Sequence, residues 1–320
     1  MNHRLRKILL NTAPILVGLF FIWLTFRKFT SADWRQMRDS FAEARYGWVL
    51  LSLVMGFFSH LSRAYRWRYL LEPMGYKPGF FNSVLTIFTA YLVNLGIPRA
   101  GEFVRVAGIS NYEDIPYDKA LGTVITERLV DLLMLGLIIL AGLAFQYDII
   151  AERLRPVFSA GMPAVLPVLG ILAVLAVVFF HLVRRAESGF FFQVKQRLYG
   201  VWEGIRSVFR MKKSGWFIAH TLFIWSMYVL MFYVMSFALP ETSGLSFAAV
   251  ISGFIIGALS MSATNGGLGS YPYGVQQVLV WYGIASHSAL AFGLMMWTAQ
   301  TLMVIILGGL SFILLPLFNK

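Results

Sequence analysis

From Thr242 to Asn319 the chain contains no Asp, Glu, Lys or Arg. One helix needs only about 20 apolar residues to cross a bilayer. A stretch this long must therefore bend back at least twice inside hydrocarbon. The rest of the sequence agrees: 58% of residues are hydrophobic and 13% charged, where soluble domains carry about 25% charged residues. The expectation is an all-α polytopic membrane protein forming a single membrane domain over 1–320, with no space for a soluble domain of ordinary size.

Six apolar runs are long enough to be full spans: Ile8–Phe26, Tyr46–Ser62, Ala120–Tyr147, Pro156–Val183, Ser214–Pro240 and Ser288–Phe318. Arg4, Arg6 and Lys7 precede the first run, as in a signal peptide. The run is too long for one and no A-x-A site follows, so it reads as an uncleaved span. Between the first two runs, Trp34, Met37, Phe41, Ala44 and Trp48 recur at helical spacing, which predicts a short helix on the surface.

Basic residues set the topology. The net charge of +12 gathers in loops beside apolar runs, as the positive-inside rule expects; nucleic-acid binding has no motif to support it. Residues 184–213 hold eight Lys/Arg against two Glu. Phe191, Val194, Leu198, Trp202, Ile205 and Phe209 form a stripe within them, predicting an amphipathic cytoplasmic linker that lies on anionic inner-leaflet lipids. With the N-terminus, the Arg63–Lys77 loop and 184–213 all inside, an even number of crossings must separate 77 from 184. Three apolar segments lie between, which is one too many. Pro78–Pro98, dotted with Asn82, Thr86, Thr89 and Asn94, is the one expected to enter from the cytoplasm and turn back. Residues 99–118 then return to the same side, and both termini are cytoplasmic in an inner membrane.

The second half repeats this order from the opposite face. Phe247–Ala263 is apolar, Thr264–Tyr273 is broken by Gly and Pro, Gly274–Gly283 is a short helix, and a long span follows. Residues 78–147 and 247–318 thus read as two re-entrant/long-helix units in an inverted repeat, the arrangement in which broken helices meet near the midplane at a binding site.

Charge inside such a chain marks candidate function, because it costs roughly 2.5–3.5 kcal/mol per residue on insertion scales. Arg99, Glu102 and Arg105 follow Asn94 at three-residue spacing, with Gly101 among them. On a helix Glu102 shares a face with each arginine, and the surplus positive charge at a helix start suits an anion such as phosphate. The alternative is an Arg–Glu set that neutralises itself in a bundle core. Glu127, Arg128 and Asp131 lie within one turn of each other; they read equally well as a salt-bridge cluster and as part of the site. In the second half, Asn265, Gly266, Gly267 and Gly269 form a loop rich in free amides, followed by Tyr271, Tyr273 and Gln276. It either cradles an anion or packs helices closely. The chain has no cysteine, and its histidines (His3, His60, His181, His220, His287) show no metal-ligand spacing. No metal, cofactor or catalytic constellation is expected.

Pro98-Arg-Ala-Gly-Glu102 with Arg105, then Thr126-Glu-Arg-Leu-Val-Asp131, then Asn265-Gly-Gly-Leu-Gly269, resembles the flippase-like membrane domain of bacterial lysylphosphatidylglycerol synthases. The resemblance runs from the first span to the last. In the synthases a soluble aminoacyltransferase domain follows; here Lys320 comes directly after the last span, so a stand-alone membrane domain is expected, with a separate soluble enzyme as a possible partner. The third motif departs from the family, which commonly has Pro before the double Gly and Arg-Glu after the loop, whereas this chain has Asn265 and Ser270-Tyr-Pro-Tyr273. The resemblance implies translocation of an anionic or zwitterionic lipid, a phospholipid or polyprenyl-phosphate carrier, between leaflets. The alternative is a membrane-embedded transferase acting on a lipid-linked sugar or aminoacyl lipid.

Overall fold

A computed structural model describes residues 3–27, 29–97, 99–146 and 178–319. Every regular element among them is helical. They include, in chain order, α1 (His3–Phe26), α2 (Ser31–Ala42), α3 (Tyr46–Leu71), α4 (Phe80–Gly96), α5 (Ala100–Tyr112), α6 (Tyr117–Phe145), α7 (Gly189–Arg210), α8 (Ser214–Ser236), α9 (Phe247–Ala263), α10 (Ser270–Trp281) and α11 (Ser286–Phe318). Helices α6, α8 and α11 are long and apolar enough to cross a membrane. The span expected at Pro156–Val183 lies almost wholly outside the described residues. The described chain forms two compact units, Met1–Glu127 with Lys212–Lys320, and Arg128–Met211.

In the first unit α3 and α8 run antiparallel along their length. The Arg45 N–H donates to the Ala238 carbonyl at one end, Ser52 to the Met231 carbonyl in the middle, and Ser62 meets His220 Nδ1 at 2.8 Å near the other. Helix α2 starts at a capping box, Thr30 with Asp33, and buries Met37 and Ser40; it therefore has a packed face and does not merely lie on a surface. The sequence reading ends the second span at Ser62, but α3 continues to Leu71. Arg63 and Arg66, counted there as part of a basic loop, are buried in the helix. They stay at that depth because an acidic partner meets them.

Two helical hairpins complete the first unit. Helices α4 and α5 are antiparallel: Gly101 packs on Ala90, Gly108 on Thr86, and Asn82 donates to Glu113 at 2.7 Å. Helices α9 and α10 are antiparallel too, through Ser270 to the Ser260 carbonyl and Ser252 to Tyr282. Both α4 and α9 have 17 residues, about 25 Å at 1.5 Å per residue, short of a hydrocarbon core of about 30 Å. The base of the first hairpin lies at the α3 C-terminus, where Phe80 and Tyr65 are 5.9 Å apart. The second starts at the opposite end, after the α8 C-terminus and the Pro240–Thr242 turn. Helix α11 runs beside both: Trp297 reaches the tip of the second hairpin and Asn319 pairs with Asn82 at the base of the first.

In the second unit α7 is helical over the stretch expected to be amphipathic. Lys195 Nζ ties it to the end of the preceding helical segment through the Arg184 and Ala186 carbonyls at 3.0 and 3.3 Å.

Candidate functional site

The tips of the two hairpins touch. Asn265 Nδ2 donates to the Gly96 carbonyl at 3.3 Å, and a Cβ added to Gly266 would lie 2.6 Å from Leu95 Cδ2. Helix α4 ends at Gly96; Ile97 is extended, as a residue before proline prefers, and Arg99 takes φ 62, ψ 3. The Ala100 N–H closes the turn onto the Ile97 carbonyl at 3.2 Å. Glycine or asparagine usually fills such a left-handed turn position, and a β-carbon there costs about 1–2 kcal/mol. The Arg99 side chain is exposed, and no hydrogen bond or ion pair reaches it among the described residues. Asn94 Oδ1 accepts the Gly101 N–H at 2.8 Å, which fixes the start of α5 beneath Arg99. Opposite, Asn265 is buried and its Oδ1 has no partner among the described residues.

A second polar assembly is sealed in the interior. Glu127, with no exposed surface, accepts from Arg63 at 2.8 Å, from Arg66 at 3.2 Å, and from both terminal nitrogens of Arg105 at 3.0 and 3.3 Å. The Arg105 guanidinium also lies 3.8 Å from the Trp67 ring centroid, a cation–π stack that desolvation strengthens. Trp67 in turn donates to Thr123 at 2.8 Å, Arg66 to Thr221 at 3.0 Å, and Arg63 to Tyr228 at 3.2 Å. One carboxylate thereby joins α3, α5 and α6, and its arginines reach α8. Three guanidiniums thus converge on this one carboxylate.

The expected site residues therefore separate. Arg105 and Glu127 come together, as the cluster reading of the sequence allows. Arg99 does not join them: it sits on the tip of the hairpin as the left-handed N-cap of α5, whereas Arg105 lies within the helix. Glu102 is half-buried on α5. Arg128 and Asp131 belong to the second unit, where they pair at 3.5 Å. Gly266, Gly267 and Gly269 all have positive φ. Gly269 lies against the Gly18 carbonyl of α1 and Gly267 against Met261, so their lack of side chains serves close packing as well as the turn. The Gly266 carbonyl accepts from Trp297 at 2.7 Å. Tyr271 is buried against Gly257, and Tyr273 packs its ring 5.5 Å from Phe21. Gln276 donates to the Ser286 carbonyl and hydroxyl at 3.2 and 2.9 Å, at the start of α11. These three hold the second hairpin in place, Tyr271 by packing its Cβ against Gly267 at the tip.

Arg63 and Arg66 are absent from the sequence reading of the site. Their signal was an Arg-x-x-Arg pair continuing an apolar run without a break, with Trp67 beside it. Among the described residues no group of three or more His, Asp or Glu could hold a metal ion.

Residues 11–308 match the family described as "Lysylphosphatidylglycerol synthase TM region". A UPF0104 membrane protein of Methanocaldococcus jannaschii is 28% identical over 87 residues, which are 26% of this chain and 26% of that protein. The match thus spans about a quarter of the relative's length. No solved structure matches.

Proposed function

Since the chain belongs to the lysylphosphatidylglycerol synthase TM region family, we propose that it moves an anionic or zwitterionic lipid between the leaflets of the inner membrane, passing the headgroup through the junction of the two hairpin tips. The contact between those tips carries the reading: Asn265 on one reaches Gly96 on the other, with exposed Arg99 one turn away. Hairpins that enter from opposite ends and meet inside are the arrangement in which an inverted-repeat transporter holds substrate. A headgroup passing there requires the tips to part.

Arg99 is the phosphate ligand in this scheme. Its planar fork matches two phosphate oxygens, its side chain is uncommitted, and its left-handed backbone is the kind of strain that persists at functional sites. Asn265 Oδ1 offers an acceptor to a headgroup amine or hydroxyl. Arg105 serves differently. It is spent on Glu127 and Trp67, and with Arg63 and Arg66 it anchors α5 so that Arg99 is presented at a fixed place. The name of the family, taken from an aminoacylated phospholipid, suits a phosphate-bearing cargo.

The topology that goes with this reading puts the α3 C-terminus, the α8 N-terminus and the α11 C-terminus in the cytoplasm. Arg68, Lys77, Lys212 and Lys213 lie at that end, where the positive-inside rule places cations. By the same rule the basic segment 184–213 is cytoplasmic and faces anionic lipids.

The test is a leaflet-accessibility assay in proteoliposomes with headgroup-labelled phospholipids and polyprenyl phosphates. Wild type should move at least one of them, and Arg99→Ala should abolish movement while the protein stays folded. If no lipid moves and the same preparation transfers sugar or aminoacyl groups to lipid, the transferase reading replaces this one.

A further inference from the structure

Where α3 ends and α8 begins, the surface folds into a small polar cavity of about 80 Å³. At about 30 Å³ per liquid water, it has room for one phosphate group in place of two or three waters. Three cations line it: Arg68, Lys77 and Lys213. Glu72 stands among them and takes a 2.8 Å hydrogen bond from Lys213. That bond, with the fields of Lys213, Lys77 and Arg68, holds the Glu72 carboxyl below its usual range, so the carboxylate is ionised at neutral pH. The cavity therefore carries two surplus positive charges.

The rest of the wall is aromatic. Tyr65, Tyr69 and Tyr76 contribute ring faces and hydroxyls. The Arg68 guanidinium lies 5.4 Å from the Tyr65 ring and Lys213 Nζ lies 6.0 Å from the Tyr69 ring. Contacts of this kind favour cationic heads beside the rings. Tyrosine next to Lys and Arg at the end of a span is also the composition of a membrane–water interface. The charge pattern repeats that of the buried assembly two turns earlier on α3, one glutamate ringed by three cations, but this copy is open where Glu127 is sealed.

We propose that this cavity binds the phosphomonoester headgroup of a membrane lipid in the adjoining leaflet. A dianionic phosphate balances the surplus of two charges, whereas a zwitterionic phosphodiester does not. The position at the ends of two helices, among interfacial tyrosines, presents the cations to a lipid surface and favours a lipid over a phosphate free in water. The site is separate from the hairpin junction, and its occupancy does not require that lipid be translocated.

The experiment is native mass spectrometry of the intact protein released from micelles doped with phosphatidic acid or with phosphatidylcholine, together with competition by millimolar inorganic phosphate. Phosphatidic acid should be retained in preference to phosphatidylcholine. Lys77→Gln and Arg68→Gln should each weaken retention about fivefold, the size expected for one cation at a membrane surface. Glu72→Gln should strengthen it by a similar factor, because the variant raises the surplus charge. That sign separates a binding site from a structural bridge: if Glu72 only pins Lys213, the substitution leaves retention unchanged or lowers it. All three residues are surface groups, so the variants should melt like wild type. Equal retention of the two lipids, unchanged or lower retention in Glu72→Gln, or displacement by inorganic phosphate without any lipid preference would overturn the proposal.

Discussion

Replacing Glu127 by Gln should damage the fold more than any other single isosteric change in this chain. The carboxylate has no exposed surface and accepts from three guanidiniums at 2.8 to 3.3 Å. The substitution keeps shape and volume but removes the charge. Arg63, Arg66 and Arg105 are 4%, 0% and 2% exposed, so each would lose a carboxylate partner at a depth water does not reach. Removing one partner of a buried ion pair costs roughly 3–5 kcal/mol, mainly because the remaining charge is uncompensated. Gln still accepts one hydrogen bond, which puts the expected loss within that range and not above it. By the scaling for chains of this size, a loss of that magnitude lowers the melting temperature on the order of 10 °C. Thermal unfolding in detergent, followed by the monodisperse fraction on size exclusion, measures it. Arg99→Gln is the matched control: an exposed cation without an ion pair is removed and the melt should not move. An unchanged melt for Glu127→Gln, or an equal drop for Arg99→Gln, would refute the assignment of Glu127 as the anchor and of Arg99 as the uncommitted ligand.

Arg99→Gly should raise stability by about 1 kcal/mol, since glycine takes the left-handed φ of 62° without its steric cost, and should lose lipid movement; the same melt and the leaflet assay read both. Gly269→Ala should destabilise by about 1–3 kcal/mol, because a methyl at φ 70° would press on the Gly18 carbonyl and push α1 off the second hairpin; the melt shows it. Because the chain has no cysteine, single cysteines report topology cleanly: membrane-impermeant maleimide should reach position 241 from outside and position 195 only after the membrane is opened.

The fold was legible in the sequence where it depends on hydrophobic length alone. Phe247–Ala263 forms the helix expected, and the Gly/Pro breaks at 96–99 and 264–269 fall at the hairpin tips. What misled was charge. Arg63 and Arg66 read as the start of a basic loop because a cation after an apolar run usually marks the water interface. Here a glutamate sixty residues away makes burial tolerable, and no local rule reveals a partner at that separation. The same blindness joined Arg99 to Arg105. Spacing shows that two residues share a helix face, but Arg99 precedes the helix in a left-handed turn, so its direction obeys the turn and not the 3.6-residue period. Tyr271, Tyr273 and Gln276 drew attention as polar groups after a glycine loop; the structure occupies them with packing and with the start of α11.

The central claim, that a headgroup passes where the hairpin tips meet, predicts that locking the tips stops transport. Leu95→Cys with Gly266→Cys places two thiols at the contact where a Cβ on residue 266 would lie 2.6 Å from the Leu95 side chain, in a background free of other cysteines. Oxidation should form the cross-link and abolish movement of labelled lipid in proteoliposomes, and reduction should restore it. Full cross-linking with lipid movement undiminished would show that the tips need not part, and would contradict the account.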